Sequence, residues 1–512
     1  MAMTRTTRSL WTVASGWAQS LVTMVVGLAA TPLLIKYLGN ERYGATLFAI
    51  QCGVFFILLE LGRGVSVRPI LIRGLTDPNE LNKVMPTVLR SWRWITVLTM
   101  LGLVVSMFLV PSLLKGTSAV ERDLRWSYVV GAPALLFTLL IPMRYLLEAS
   151  HRGYYVSLAI TAQSVVTTLV SLFIAWLTHS RVPDWQLTWC ALANIAGAAV
   201  SFMVIQRVAT QKFPGMFRVW WRGKSDPAIH DELSRNGRRG LILQLARLLG
   251  LTTDNIVVGV ILGPAIVPVI FLTQRLIAIA QGQLATIGSS VWAPLGDLYA
   301  RGEHDRFRTR LIQVSKLVVI LGVACMAPLM AYNQHFVTKW VGLSQYAGDF
   351  ITGLSCMNAV IYGLFVLWAL ALDATGHVNA RVKVSLAFAI VNIVLSIVAT
   401  LVWGMAGPMF ALFVANVSVN MWCYPLLMRR LFQLSVKSLF FAVMKPLWIG
   451  VPLSIGLWYW AQYHTPWGWI GLGAEMALGA TIYLVLCWFL VVNRDDRGFV
   501  LERFRRRTAP AA

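Results

Sequence analysis

About fourteen stretches of this chain are predominantly apolar over roughly 20 residues, the length a helix needs to cross the hydrocarbon core of a bilayer. Their approximate limits are 10–36, 43–67, 89–113, 126–147, 154–178, 184–206, 238–262, 265–292, 311–333, 349–372, 380–403, 406–428, 441–462 and 467–492. Only 13% of the 512 residues are charged, against about 25% in soluble domains. The fold class expected is an all-α polytopic membrane protein. The basic N-terminus MAMTRTTRSL leads into a run too long for a signal-peptide core, so it reads as the uncleaved first span.

The net charge is +23. No aromatic-basic nucleic-acid motif accompanies it, so the cations read as topological signals and no nucleic-acid partner is expected. Alternate loops carry them: Arg63 to Lys83, Arg144 and Arg152, Arg207 to Arg239, Arg301 to Arg310, Arg381 and Lys383, Arg429 to Lys445, and the tail RFRRR. Roughly 34 of the 44 lysines and arginines fall on this one side, which marks it as cytoplasmic. Both termini then face the cytoplasm. The outer loops are short, and the long cytoplasmic segment near 207–237 contains FRVWWRGK, a Trp-rich piece suited to lie at the interface. The six cysteines show no CxxC spacing and sit in or beside apolar runs, so neither a metal site nor a disulfide framework is expected.

The first six runs fall on the next six when the sequence is slid by about 224 residues. Leu38-Gly39 then meets Leu262-Gly263, and Glu148-Ala149-Ser150 meets Asp373-Ala374-Thr375 one position further on. Six spans per repeat keep the two halves in the same orientation, related by a pseudo-two-fold along the membrane normal, as in a rocking transporter. The expected organisation is an N-lobe over 1–206, a basic cytoplasmic linker over 207–237, a C-lobe over 238–430, two further helices over 431–493, and a basic cytoplasmic tail over 494–512.

Four segments carry a family resemblance. YLGNERYGATLFAIQCGVFFILLELGRG is similar to the first hairpin of Wzx-type polysaccharide flippases, and DNIVVGVILG to their seventh helix. APLGDLYARGEHDRFR resembles the cytoplasmic segment after the eighth. The stretch from Leu372 to Asn420, with its Val391-Asn392 pair and its loop from Gly404 to Gly407, resembles the tenth-to-twelfth helix region. The resemblance spans about 10–430 and weakens in the last two spans. Glu60 stands where Asp is more usual and Pro268 where an aromatic is common, which leaves the subfamily open. It implies a MATE-like pair of six-helix lobes in a bacterial inner membrane. The implied activity is alternating-access transfer of an undecaprenyl-pyrophosphate-linked oligosaccharide for O-antigen or a related polymer. The implied partners are that lipid, membrane lipids and a polysaccharide polymerase or chain-length machinery.

An ionisable group at mid-membrane costs about 2.5–3.5 kcal/mol, so it should face a cavity or a partner. In the seventh run Arg247 and Asp254 are seven residues apart, about 20° on a continuous helix, with Gln244 within about 80° of that stripe. In the eighth run Arg275 follows Thr273 and Gln274. The repeat sets Gln51 opposite Arg275, and the first run offers Gln19 one turn before Thr23. A guanidinium forks two donors and stays charged when desolvated, so Arg275 and Arg247 suit a pyrophosphate, and the amides Gln244, Gln274, Gln51 and Gln19 suit sugars. Asp254 serves substrate, a coupling proton or sodium ion, or only Arg247. Glu60 with Arg63, and Arg144 with Glu148, are candidate gate pairs at helix ends; Glu148 and Asp373 are repeat mates that would shape equivalent helix ends. Glu475 stands isolated about eight residues into the last run. No cofactor and no catalytic residue is expected. The alternatives are a lipid II flippase, a cation-coupled multidrug exporter, and, from another class, a membrane glycosyltransferase or polymerase. The last would need a charged constellation on a sizeable outer loop.

Overall fold

Lipid offers no hydrogen bonds to a peptide group, so a spanning chain satisfies its backbone internally, most simply as helix. The computed structural model is helical throughout, with no strand among the described residues, which are 5–75, 77–251 and 253–492. Contacts divide the chain into two compact units, the first ending at Pro268 and the second beginning at Val269.

The first unit opens with α1 (Arg5–Gly53), followed by a tight turn over Val54–Glu60, then α2 (Arg63–Gly74) and α3 (Pro78–Leu113). Next come α4 (Ser118–Gly131) and α5 (Ile141–Ala149). Pro133 and Pro142 each remove a helical donor there, and the stretch Ala132–Leu140 between the two helices tightens to 3-10 pitch. Then follow α6 (Gly153–Arg181), α7 (Gln186–Lys212), the short α8 (Met216–Arg222), α9 (Pro227–Leu251) and α10 (Asp254–Ile261). Trp92, Met85 and Leu89 of α3 pack with Met143, Leu146 and Leu147 of α5 to form the main core. Within it Trp92 is fully buried.

After α11 (Val267–Thr273), the second unit runs through α12 (Arg275–Ala300), α13 (His304–Val341), α14 (Asp349–Ala374), α15 (Val378–Trp403) and α16 (Gly407–Ala415). A π turn at Asn416–Asn420 leads to α17 (Met421–Phe432), and α18 (Val436–Tyr463) and α19 (Gly468–Leu490) complete it. Helix α13 packs against α12, α14, α18 and α19, and its Ser315 accepts the Trp368 indole at 2.9 Å inside the core.

Among the described residues, ten helical segments are long and apolar enough to span a membrane, or eleven with the bent pair Pro264–Thr273 and Arg275–Ala300. About fourteen runs were expected from the sequence, and the difference has physical causes. Two segments are double length, 47 and 55 residues. At about 1.5 Å per residue each is more than twice the ~30 Å core. Gly39 (φ 75°, ψ 166°) interrupts the first and Gly404 (φ 59°) the second. The expected seventh run is divided between α9 and α10, with residue 252 outside the described residues, and carries several charges.

Residue 252 and the Arg247 side chain, on which the polar stripe expected for Arg247 and Asp254 depends, lie outside the described residues. The contacts do not divide at the expected linker 207–237. Helix α9 packs on α2, where the left-handed Leu61-Gly62 turn meets glycines of α9. A Cβ on Gly237 would lie 2.8 Å from the Leu61 carbonyl, and one on Gly240 would lie 2.9 Å from that of Gly62. At the other end Gly259 of α10 lies under Phe48, and Gly44 of α1 under Pro264.

Two pairs of positions that the expected repeat aligns share local backbone geometry. Gly263 (φ 95°, ψ 166°) adopts nearly the dihedrals of Gly39. At the end of α5, Ser150 N–H donates to the Leu146 carbonyl (3.0 Å), His151 to Glu148 (3.1 Å) and Arg152 to Leu147 (2.9 Å). At the end of α14, Thr375 donates to Ala371 (3.2 Å), Gly376 to Asp373 (3.2 Å) and His377 to Leu372 (2.8 Å). Both ends are Schellman turns closed by a left-handed residue, His151 (φ 57°) and Gly376 (φ 81°). A side chain at positive φ costs about 1–2 kcal/mol. A Cβ on Gly376 would meet nothing within 4 Å, so only that backbone term applies. Gly376→Ala should therefore lower the thermal unfolding midpoint of the purified protein, and His151→Gly should leave it unchanged or raise it.

Candidate functional site

Thr273, Gln274 and Arg275, singled out in the sequence within one continuous eighth run, lie at a break between α11 and α12, where the chain bends by 55°. A bend at this depth frees backbone groups that must find partners within the protein. Thr273, fully buried at its end, supplies them. Its hydroxyl donates to the Val269 carbonyl (2.8 Å) and accepts from Ala347 N–H (2.8 Å). Its carbonyl accepts from the Asn333 amide (2.8 Å), which also donates to Thr352 Oγ1 (3.3 Å). Gln274, the cap position of α12, donates to Ser355 Oγ (3.2 Å) and lies 2.7 Å from the Met409 sulfur. It thus faces α14 and α16, and its amide is already engaged there.

Arg275 opens α12 directly beyond this braced bend. Its guanidinium lies 5.4 Å from the Phe271 ring centroid, one turn earlier. Among the described residues it makes no ion pair. The result is a half-buried cation without an acid, held by an aromatic face on a rigid bend.

The remaining candidates belong to the first unit. Gln19 and Gln51 are half-buried on α1, where the Gln19 carbonyl accepts from Thr23 (2.9 Å). Gln244 is half-buried on α9, and its Oε1 is buried without a hydrogen-bond partner among the described residues. Arg247 belongs to α9, but its side chain lies outside the described residues. Asp254 is the first residue of α10, where a carboxylate complements the helix dipole. That position gives it a local role whatever else it does.

The gate pairs are rearranged. Arg144 donates to Ser201 (2.8 Å) and Gln163 (3.2 Å) within the first unit, and makes no ion pair with Glu148. Glu148 instead pairs with Arg68 at 2.9 Å. Glu60 makes no ion pair with Arg63 among the described residues; its carboxylate lies over Gly64 beside the Tyr145 hydroxyl. Arg63 reaches Ser234 of α9 (3.4 Å), and burial pulls its pKa down. Nearby, Arg73 forks onto Glu232 at 2.8 and 3.3 Å. Asp373 pairs with Arg381 across the turn into α15. Glu475, isolated in the sequence, meets His464 at 3.1 Å.

Several polar groups escaped sequence reasoning. Asp123, fully buried, accepts from the backbone of Leu187 (2.9 Å) and Thr188 (2.8 Å) and lies 3.6 Å from Arg42. It caps α7 from α4. Asp349 accepts from Tyr346 (2.5 Å), Trp458 (3.1 Å) and Gln462 (3.1 Å), tying α14 to α18; burial and that carboxylate push the Tyr346 pKa up. Asn358, Asn416 and Asn420 form a buried ladder, with Asn420 donating to Asn416 at 2.9 Å and Asn416 to Asn358 at 3.4 Å. An Asp just ahead of an apolar run was the one available signal for Asp123 and Asp349. For the asparagines, only their rarity within apolar runs was.

No family model matches the chain. It is 22% identical over 532 residues to the "Uncharacterized membrane protein EpsK" of Bacillus subtilis (strain 168), covering 95% of this chain and 96% of that one. Among solved structures it is similar to the lipid II flippase MurJ in an inward closed conformation (TM-score 0.69, 13% identity, 92% of this chain and 97% of that one). It is also similar to an inward-facing multidrug resistance MATE family transporter of the MOP superfamily (TM-score 0.59, 13% identity, 88% and 98%). The fold is that of MurJ and the MATE transporters. The chain is a multi-pass membrane protein, and the neighbours it resembles are named as transporters and flippases.

Losing a buried hydrogen-bond partner costs about 1–3 kcal/mol. Asn333→Leu removes the amide that donates to the Thr273 carbonyl and to Thr352, and should lower the unfolding midpoint by several degrees. Asn82→Leu, at an exposed position on α3, should have a smaller effect; equal losses would mean that the bend is not braced through Asn333.

Proposed function

We propose that the chain is a flippase that moves an undecaprenyl-pyrophosphate-linked oligosaccharide across a bacterial inner membrane by alternating access, with both termini cytoplasmic. The observation that carries this reading is Arg275, a half-buried guanidinium within an apolar bent helix pair, with no acid partner among the described residues, seated beyond a braced bend. Such a cation favours an anionic headgroup, and its fork fits pyrophosphate oxygens. A site for cationic drugs would need the opposite charge. Arg247, Gln244, Gln51 and Gln19 are proposed as further substrate contacts. Gln274 acts chiefly as a brace. Asp254 is proposed as the residue that couples transport to a proton or sodium gradient, and a polysaccharide polymerase or chain-length machinery as the partner downstream. A non-enzymatic role accords with the transporters and flippases that share the fold.

Deleting the gene should leave lipid-linked oligosaccharide on the inner leaflet and abolish surface polymer. At wild-type protein level, Arg275→Ala should reduce export about tenfold or more, the cost of one charge-assisted contact. Arg275→Lys should retain part of it. Full export by Arg275→Ala would overturn the proposed role. The second reading, a lipid II flippase, is favoured by the similarity to MurJ over 92% of the chain. Rescue of cells depleted of their own lipid II flippase would establish it in place of the first.

A further inference from the structure

The short helix α8 is strapped onto the end of α3. Met216 and Trp220 point inward and are buried in the core around Trp92. The following turn is fixed at three points: Arg93 donates to the Trp221 carbonyl (3.5 Å), Arg90 to Ser225 Oγ (2.9 Å), and Asp226 N–H to Thr87 Oγ1 (2.8 Å). Gly223 passes so close to Pro86 that a Cβ there would collide. The segment is therefore held rigidly.

Its outer face is cationic. Lys212, Arg218, Arg222 and Lys224 are exposed, as are Arg90 and Arg93 of α3 beneath them. Trp221 is 56% exposed and stacks over the Arg93 guanidinium at 4.6 Å. Trp94, 63% exposed, lies one residue further into the apolar part of α3 and marks the level of a membrane interface. Six cations and an indole on a fixed surface at that level match a layer of anionic headgroups: guanidinium forks take phosphate oxygens, and the indole sits among the glycerols. The segment lies within 207–237.

We propose that α8 and the adjoining end of α3 form a binding surface for anionic phospholipid headgroups, which fastens the segment 207–237 to the leaflet at this end of the helices. The test uses the purified full-length protein in neutral detergent, with bound lipid followed by native mass spectrometry during titration with phosphatidylglycerol or phosphatidylcholine. In the triple variant Arg218→Gln, Arg222→Gln, Lys224→Gln, phosphatidylglycerol affinity should fall at least about tenfold with an unchanged unfolding midpoint, since all three side chains are exposed. The charge-matched variant Arg429→Gln, Arg430→Gln, Lys437→Gln should bind as the wild type does. Excess inorganic phosphate should not displace the lipid. Equal loss in both variants, no loss in the first, equal affinity for phosphatidylcholine, or displacement by phosphate would each overturn the proposal.

Discussion

A peptide group without a hydrogen-bond partner is costly in hydrocarbon, and the structure depends on that penalty more than on any single contact. It explains why the described residues are helical throughout, and it explains where the buried polar side chains are. Where the ladder is interrupted between α11 and α12, Thr273 and Asn333 collect the freed groups. Where α7 begins, Asp123 takes its orphan N–H groups. The π turn at Asn416–Asn420 has the asparagine ladder beside it. In the first two cases the polar residue serves backbone groups that the helices leave unpaired, while Asn416 and Asn420 bond through their side chains.

The same constraint separates structural polar groups from candidate functional ones. Gln274, Asp349, Arg144 and Asp373 all have partners that account for them. Arg275 does not, since an aromatic face orients a guanidinium without neutralising it. A permanent positive charge in an apolar stretch is costly to keep, and an anionic substrate would offset that cost. The functional reading therefore rests on the residue whose surroundings leave its charge available.

Much of this was legible in the sequence. The spans, the repeat at 224–225 residues and the polar residues of the eighth run could be read from periodicity and position alone. The repeat even predicted equivalent ends at Glu148 and Asp373, and the same Schellman turn closes both. Pairings were not legible. Arg144 and Glu148 are four residues apart on one helix, the spacing of a salt bridge, yet Arg144 turns to α6 and α7 and Glu148 to Arg68. Glu475 seemed alone because His464 reaches it across a loop.

The sequence by itself determined that this chain is a helical, multi-pass membrane protein and where its apolar runs lie. Those properties depend on hydrophobicity and local geometry, which act along the chain. Only the tertiary structure decided that α9 packs on α2 through facing glycines, that Gln274 braces a bend, and that Arg275 is left without an acid partner among the described residues. Those outcomes depend on which groups far apart in sequence reach one another in space, and no periodicity encodes that.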